Sequence, residues 1–207
     1  MGKKYELTEE TKEFYGRTLY RIKALKDFGD VEVGDLGGYI ESESNLMQEG
    51  CAWVYGNAMV YGSARVCDNA KVCDNAEVHA NAKVYGDAKV FGNANVYGDA
   101  MVLGSADVCG SANVYGSANV YGYADVRGDA EIKGKTDYIV FKNWWSSGRY
   151  FTWTRSNNMW KVGYFYGTGK ELVEKAYKDS ELSGREYERV VKYVESILAD
   201  EKKQRKQ

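Results

Sequence analysis

Ala82-Lys83-Val84-Tyr85-Gly86-Asp87-Ala88-Lys89-Val90-Phe91-Gly92-Asn93 holds two cycles of a six-residue pattern that runs unbroken from Cys51 to Gly134. Valine stands at 54, 60, 66, 72, 78, 84, 90, 96, 102, 108, 114, 120 and 126, isoleucine at 132, and alanine two places before each. Two independent positions that hold for 14 consecutive hexads exclude chance. Ala-x-Val-x alternates with period two, so each hexad contains a short strand with Ala and Val on one face. The next two residues are turn formers, as in Gly56-Asn57, Gly62-Ser63, Asp68-Asn69, Asp74-Asn75 and Gly86-Asp87. Gly, Asn and Asp tolerate the left-handed backbone that a sharp corner requires. Strand and corner in alternation wind the chain into a coil. Three hexads close a triangular coil of 18 residues around a dry interior of Ala and Val. With coils about 4.8 Å apart, the repeat forms a column of about 22 Å.

An aliphatic residue with a small residue four places later, as in Val54/Ala58 and Val60/Ala64, resembles the left-handed parallel β-helix of the hexapeptide-repeat superfamily. The left hand is implied by the resemblance alone, since parallel connections are ordinarily right-handed. The fold expected is mainly β. A short N-terminal β cap (1–38) precedes the β-helix (39–136), and a C-terminal α+β appendage follows, made of an aromatic β segment (137–167) and two helices (168–207).

Residues 18 apart stack into outward columns. After each valine these read Tyr55, Cys73, Phe91, Cys109, Arg127; Tyr61, His79, Tyr97, Tyr115, Lys133; and Cys67, Tyr85, Leu103, Tyr121. Before each valine they read Trp53, Lys71, Lys89, Asp107, Asp125; Met59, Glu77, Asn95, Asn113, Glu131; and Arg65, Lys83, Met101, Asn119. Walls so rich in Tyr, Cys and Phe suit an interface, or else tyrosine stacks that support neighbouring strands. The superfamily commonly forms trimers of parallel prisms, and a homotrimer is expected.

Upstream, Leu19–Leu25 alternates and reads as a strand, with Tyr5-Glu6-Leu7 as its partner and Gly16 near the turn. Ile40 and Leu46 fall in phase with the alanines, which starts the first coil near Tyr39. Downstream, Asp137–Trp145, Tyr150–Arg155 and Met159–Tyr166 read as three strands, with turns at Ser146-Ser147-Gly148 and Ser156-Asn157-Asn158. Thr168 with Glu171 is a capping-box pattern. Lys170–Ser180 and Arg185–Lys203 read as helices split at Ser183-Gly184, with Lys202–Gln207 fraying.

The 207 residues carry 28 Lys+Arg against 30 Asp+Glu, a net charge of −2, which gives no global attraction to a nucleic-acid polymer or an anionic membrane. No apolar run reaches a membrane span, and no apolar region follows Met1–Glu6, so no secretory signal is expected. Cys51, Cys67, Cys73 and Cys109 form no CxxC pair, and His79 is the sole histidine. No metal site, no disulfide framework and a cytoplasmic location follow. No cofactor is expected.

Leu19–Ser42, the tyrosine-rich hexads and the Tyr164–Tyr177 region resemble small hexapeptide-repeat proteins of bacteriophage and prophage genomes. These are often labelled putative transferases on fold grounds, and some resemble the sponge class that sequesters nucleotide signals of bacterial immunity. The resemblance implies the cytoplasm of an infected or lysogenic bacterium. Superfamily acyltransferases use acyl-coenzyme A and a histidine base. His79 lies between Tyr61 and Tyr97, Glu77 could orient it, and no nucleophile matches by spacing, so His79 reads as structural and no catalytic residue is assigned. A sponge needs cations for phosphates and aromatic planes for bases. Lys142, Trp144, Trp145, Arg149, Trp153, Arg155 and Trp160 supply both, as do Arg65 and Lys83 beside Tyr85, and Lys71 and Lys89 beside Phe91. The expected ligand is a small anion such as a cyclic nucleotide or an ADP-ribose derivative, captured without turnover. An acyltransferase and a trimeric stalk are the alternatives.

Overall fold

A computed structural model of the protein describes residues 2–145 and 147–205. It divides into two units, residues 1–138 with 155–157, and residues 139–154 with the chain from Asn158 onward.

The first unit is a parallel β-solenoid of about five turns. One sheet stacks 59–60, 77–78, 95–96, 113–114 and 131–132. A second stacks 53–54, 71–72, 89–90, 107–108 and 125–126, and a third stacks 65–66, 83–84, 101–102 and 119–120. Pairing is in register at 18-residue spacing, Val54 on Val72, Val72 on Val90 and Val90 on Val108. Every Ala and Val of the repeat is at most 1% exposed.

The corners explain the repeat's third requirement. The residue two places after each valine takes a positive φ, from Gly56 (61°) to Gly128 (67°). Asp68 (59°), Asp74 (61°) and Ala80 (58°) hold the same conformation without being glycine. The Asp68 and Asp74 carboxylates offset the strain by accepting from the amides of Gly86 (3.0 Å) and Gly92 (2.9 Å) one coil on. Asn69, Asn75 and Asn81 donate across the same gap to Asp87, Asn93 and Asp99.

The first coil departs from the expected phase. Ile40 pairs with Val60 and Leu46 with Val66, so both occupy valine positions, not alanine positions. That coil is two residues longer than 18. The corner after Met47 absorbs the excess: Gly50 has φ +70°, and the amides of Cys51 and Ala52 both donate to the Asp68 carbonyl (2.7 and 2.8 Å).

At the N-terminus, strand β1 (Tyr5–Phe14) pairs antiparallel with β2 (Arg17–Ala24) through a turn at Tyr15 (φ 48°) and Gly16 (φ 74°). Two consecutive positive φ values match the hairpin twist. Strand β3 (Leu36–Ile40) joins β2 antiparallel and residues 59–60 parallel, so the hairpin extends one solenoid wall. Lys4 is fully buried and donates from Nζ to the carbonyls of Ala52 (2.9 Å) and Glu49 (3.4 Å), with the Phe28 ring 5.1 Å away.

The second unit holds most of a four-stranded sheet of Tyr138–Lys142, Tyr150–Thr154, Met159–Val162 and Phe165–Gly167. Gly163 (φ +54°) splits the third predicted strand into two. Of the predicted turn at 146–148, Ser146 lies outside the described residues. Helix α1 (Gly169–Asp179) starts at the Thr168–Glu171 capping box, and α2 (Glu181–Gln204) follows at once. The break is at Ser180, whose extended backbone ends α1 while its hydroxyl accepts from Ser183 N to cap α2. Gly184 therefore lies inside α2. A Cβ there would meet the Tyr177 ring at 2.2 Å, so this glycine serves helix–helix packing, not a break. Of the residues expected to fray, Lys202–Gln204 continue α2, and Lys206 and Gln207 lie outside the described residues.

Candidate functional site

Two-residue alternation in the hairpin points Phe151, Trp153, Trp160 and Val162 toward the helices, where they form one core with Leu172, Val191 and Val194. That core decides which predicted ligand-binding residues are accessible. Trp153 is 1% exposed, its Nε1 donates to Asn158 Oδ1 (2.9 Å), and it cannot serve as an open stacking plane. Trp145 packs against Phe151 and Tyr187 at 6.0 and 6.1 Å between ring centroids. Trp144 is 83% exposed and meets Trp145 edge-on. Lys142 lies 5.7 Å from the Tyr150 ring. Arg155 groups with the first unit, where its Nε donates to the Thr136 carbonyl (2.8 Å). The predicted cationic–aromatic cluster is thus not one site.

Arg149 reaches a cavity between the sheet and the helices. It lines a volume of about 160 Å³ with Tyr164, Phe165, Lys175, Asp179 and Tyr187. Burial pushes the Tyr187 hydroxyl above its usual range, and Arg149 pulls the other way. Two cations against one carboxylate leave the cavity cationic, and three aromatic rings wall it. Sequence reasoning missed Lys175, Tyr164 and Tyr187. Lys175 and Tyr187 reach the cavity from different helices, and only helix packing brings them beside Arg149.

On the solenoid, Arg65 stacks directly on Lys83 in the third sheet. Tyr85 stands in the adjacent column and donates to Met101 Sδ (3.9 Å). These two exposed cations and a half-buried tyrosine form an open surface, not a cavity. Lys71 of the second sheet is engaged by Asp30 at 2.8 Å.

His79 is a rung of an aromatic ladder. Its ring stacks on Tyr61 at 4.8 Å and 1°, and on Tyr97 at 5.2 Å and 4°, with Tyr115 next at 5.2 Å. Burial holds its pKa below the usual histidine range, partly opposed by Glu77. The unfolded chain therefore takes up a proton first as pH falls, so acidification weakens the ladder. The Glu77 carboxylate accepts from the Tyr61 hydroxyl at 3.0 Å. Among the described residues no group of three or more His, Cys, Asp or Glu could hold a metal ion, and no helix is long and apolar enough to cross a membrane.

A family model described as the YdcK β-solenoid repeat matches residues 52–68, inside the first hexads. Together with the parallel β-solenoid, this match supports a hexapeptide-repeat β-helix family. A curated protein of Escherichia coli K12, named uncharacterized acetyltransferase YdcK, is 39% identical over 61 residues. That stretch is 26% of this β-helix protein and 19% of the relative, so the chain spans about a fifth of the protein it matches.

Proposed function

We propose that this β-helix protein is a non-catalytic, homo-oligomeric binding protein that sequesters a small anionic ligand carrying an aromatic plane, a nucleotide-type signal of bacterial immunity being the ligand class. The observation that carries this reading is the Arg149–Lys175 cavity, where a fork-shaped guanidinium and an ammonium meet aromatic walls. The built-in stacking of His79 supports it, since a ring held on both faces and kept neutral serves the wall it belongs to.

The purified protein is incubated with a panel of cyclic nucleotides and ADP-ribose derivatives, heated, and the released molecules are analysed. Intact recovery of a depleted compound is expected. Depletion of none overturns the reading. Arg149→Ala is expected to weaken capture at least tenfold, about 1.4 kcal/mol.

An acyltransferase is the second reading, favoured by the name of the Escherichia coli relative. It requires His79 as base. Under the binding reading, His79→Ala destabilises the solenoid by about 1–2 kcal/mol through two lost ring contacts and leaves capture intact. Acetyl transfer from acetyl-coenzyme A that disappears in His79→Ala would support the enzyme instead.

The assembly we propose is a trimer through the outward Tyr, Cys and Phe columns. Sedimentation is expected to give a species of three times the 23.3 kDa chain mass. A 23.3 kDa species at micromolar concentration rejects the trimer.

A further inference from the structure

Asp179, the last residue of α1, lines the Arg149 cavity, with Lys175 one turn before it. At the same spacing on this helix Lys170 and Glu174 close an ion pair at 3.8 Å. Lys175 and Asp179 do not. Among the described residues neither of their side chains, nor the Arg149 guanidinium, has an ion-pair or hydrogen-bond partner. The cavity thus holds uncommitted charge of both signs, and a ligand that offered phosphate oxygens alone would answer only the cations.

The two signs are held close to one ring. Burial is the main cause that raises the Tyr187 hydroxyl, and beyond it Arg149 pulls down while Asp179 pushes up. The turn at Gly163 sets the cation. Its backbone is left-handed (φ +54°), and Lys161 Nζ donates to its carbonyl. A Cβ at Gly163 would lie 3.4 Å from Arg149 Cδ and 3.5 Å from Nε, so the arginine arm runs along this glycine. Tyr164, the next residue, stands fully exposed at the rim.

We infer that Asp179 selects the base of the captured nucleotide and that this base is guanine, an inference that rests on the nucleotide reading of the cavity given above. An ionised carboxylate is acceptor-only, with two oxygens side by side. Guanine presents two donors side by side, N1–H and the N2 amine. Adenine and cytosine offer one donor next to one acceptor on that edge, and uracil sets its N3–H between two carbonyls. Of the four bases only guanine gives both carboxylate oxygens a donor, in charge-assisted bonds. The others place a lone pair against the charge. Arg149 and Lys175 remain for the phosphate, and Tyr164 and Tyr187 offer ring faces for the base.

The test is equilibrium dialysis of the full chain against 3′,5′-cyclic GMP, cyclic IMP and cyclic AMP, which share ribose and phosphodiester. Cyclic GMP is expected to bind about tenfold tighter than cyclic AMP or better. Cyclic IMP keeps N1–H and lacks the N2 amine, and falls between them. Asp179→Asn is expected to abolish the preference for guanine. Asp179→Ala gives the same readout from a second variant at this exposed helix end. Arg149→Ala weakens all three compounds alike, which separates phosphate binding from base selection. Equal or reversed affinities in the native protein overturn the inference, as does a guanine preference that survives both Asp179 variants, and either result leaves ligand capture standing. Binding of none of the three also overturns it, whereas the capture role falls only if the wider panel is left undepleted.

Discussion

Gly110→Ala lowers the stability of the solenoid by about 3 kcal/mol, while Ala80→Gly raises it by about 0.5–1 kcal/mol. Both positions are corners of the same repeat and hold the same backbone conformation, φ +72° and +58°. An L-residue in the left-handed region is disfavoured by about 1–2 kcal/mol relative to glycine. At Gly110 a steric effect adds to this. A Cβ there would sit 2.9 Å from both the amide nitrogen and the carbonyl oxygen of Gly128 on the next coil. Those atoms are backbone in a hydrogen-bonded stack, where Ser111 N donates to the Gly128 carbonyl at 2.7 Å. They cannot swing aside, so the coil must separate locally, at a cost of about 1–3 kcal/mol. At Ala80 the native chain already holds the strained conformation, without the carboxylate that rewards Asp68 and Asp74 in the same role. Glycine relieves that strain and returns part of the gain as chain entropy in the unfolded state. Urea unfolding followed by far-ultraviolet circular dichroism, with equal m-values, reads both changes. Equal signs for the two substitutions would show that the corner conformation does not set the stability of the repeat.

The second large effect lies at the N-terminal end of the solenoid. Lys4→Ala is expected to destabilise the protein by about 2–3 kcal/mol. The fully buried ammonium donates to the Ala52 and Glu49 carbonyls, at the corner where the extra residues of the first coil are accommodated. Removing it leaves those carbonyls buried without their donor. The same burial pulls the Lys4 pKa from 10.5 down to about 8, with Cys51 opposing the shift and Lys26 adding to it. The direction of the pH dependence follows. Between about pH 8 and 10.5 the folded chain releases the Lys4 proton while the unfolded chain keeps it, so the unfolded state binds more protons and this contribution raises stability as pH rises. Groups such as Cys73, pushed up to about 11 from 9 by burial, act in the opposite direction above about pH 9. The readout is therefore the difference between the native protein and Lys4→Met across pH 7 to 9.5, in which the cysteine and tyrosine contributions cancel. The gap is expected to widen with pH. A gap independent of pH would place the Lys4 amine in contact with solvent.

Much of the solenoid was legible because its rule is local and repeated. Each hexad states the same three requirements, a small residue, an aliphatic residue and a corner residue, and the 18-residue coil follows from their spacing. The reading slipped only where the rule is interrupted. Two extra residues before Ala52 shift Ile40 and Leu46 from alanine to valine positions, and nothing in their own identity reports the shift. In the second unit, capping at Thr168 and the alternation of the hairpin were readable. Ser180 as a shared cap and Gly184 as a packing site were not, because each depends on how α1 meets α2.

The sequence by itself determined the coil, its interior and its corners, since hydrophobic alternation and backbone sterics act within a few residues. Only the tertiary structure decided which cations and aromatics meet. Trp153 was drawn into a core, Arg155 bonds the Thr136 carbonyl in the first unit, and Arg149 was brought beside Lys175 and Tyr187, which follow it by 26 and 38 positions. Burial of apolar area is blind to residue order, so packing chose these neighbours without leaving a spacing to read.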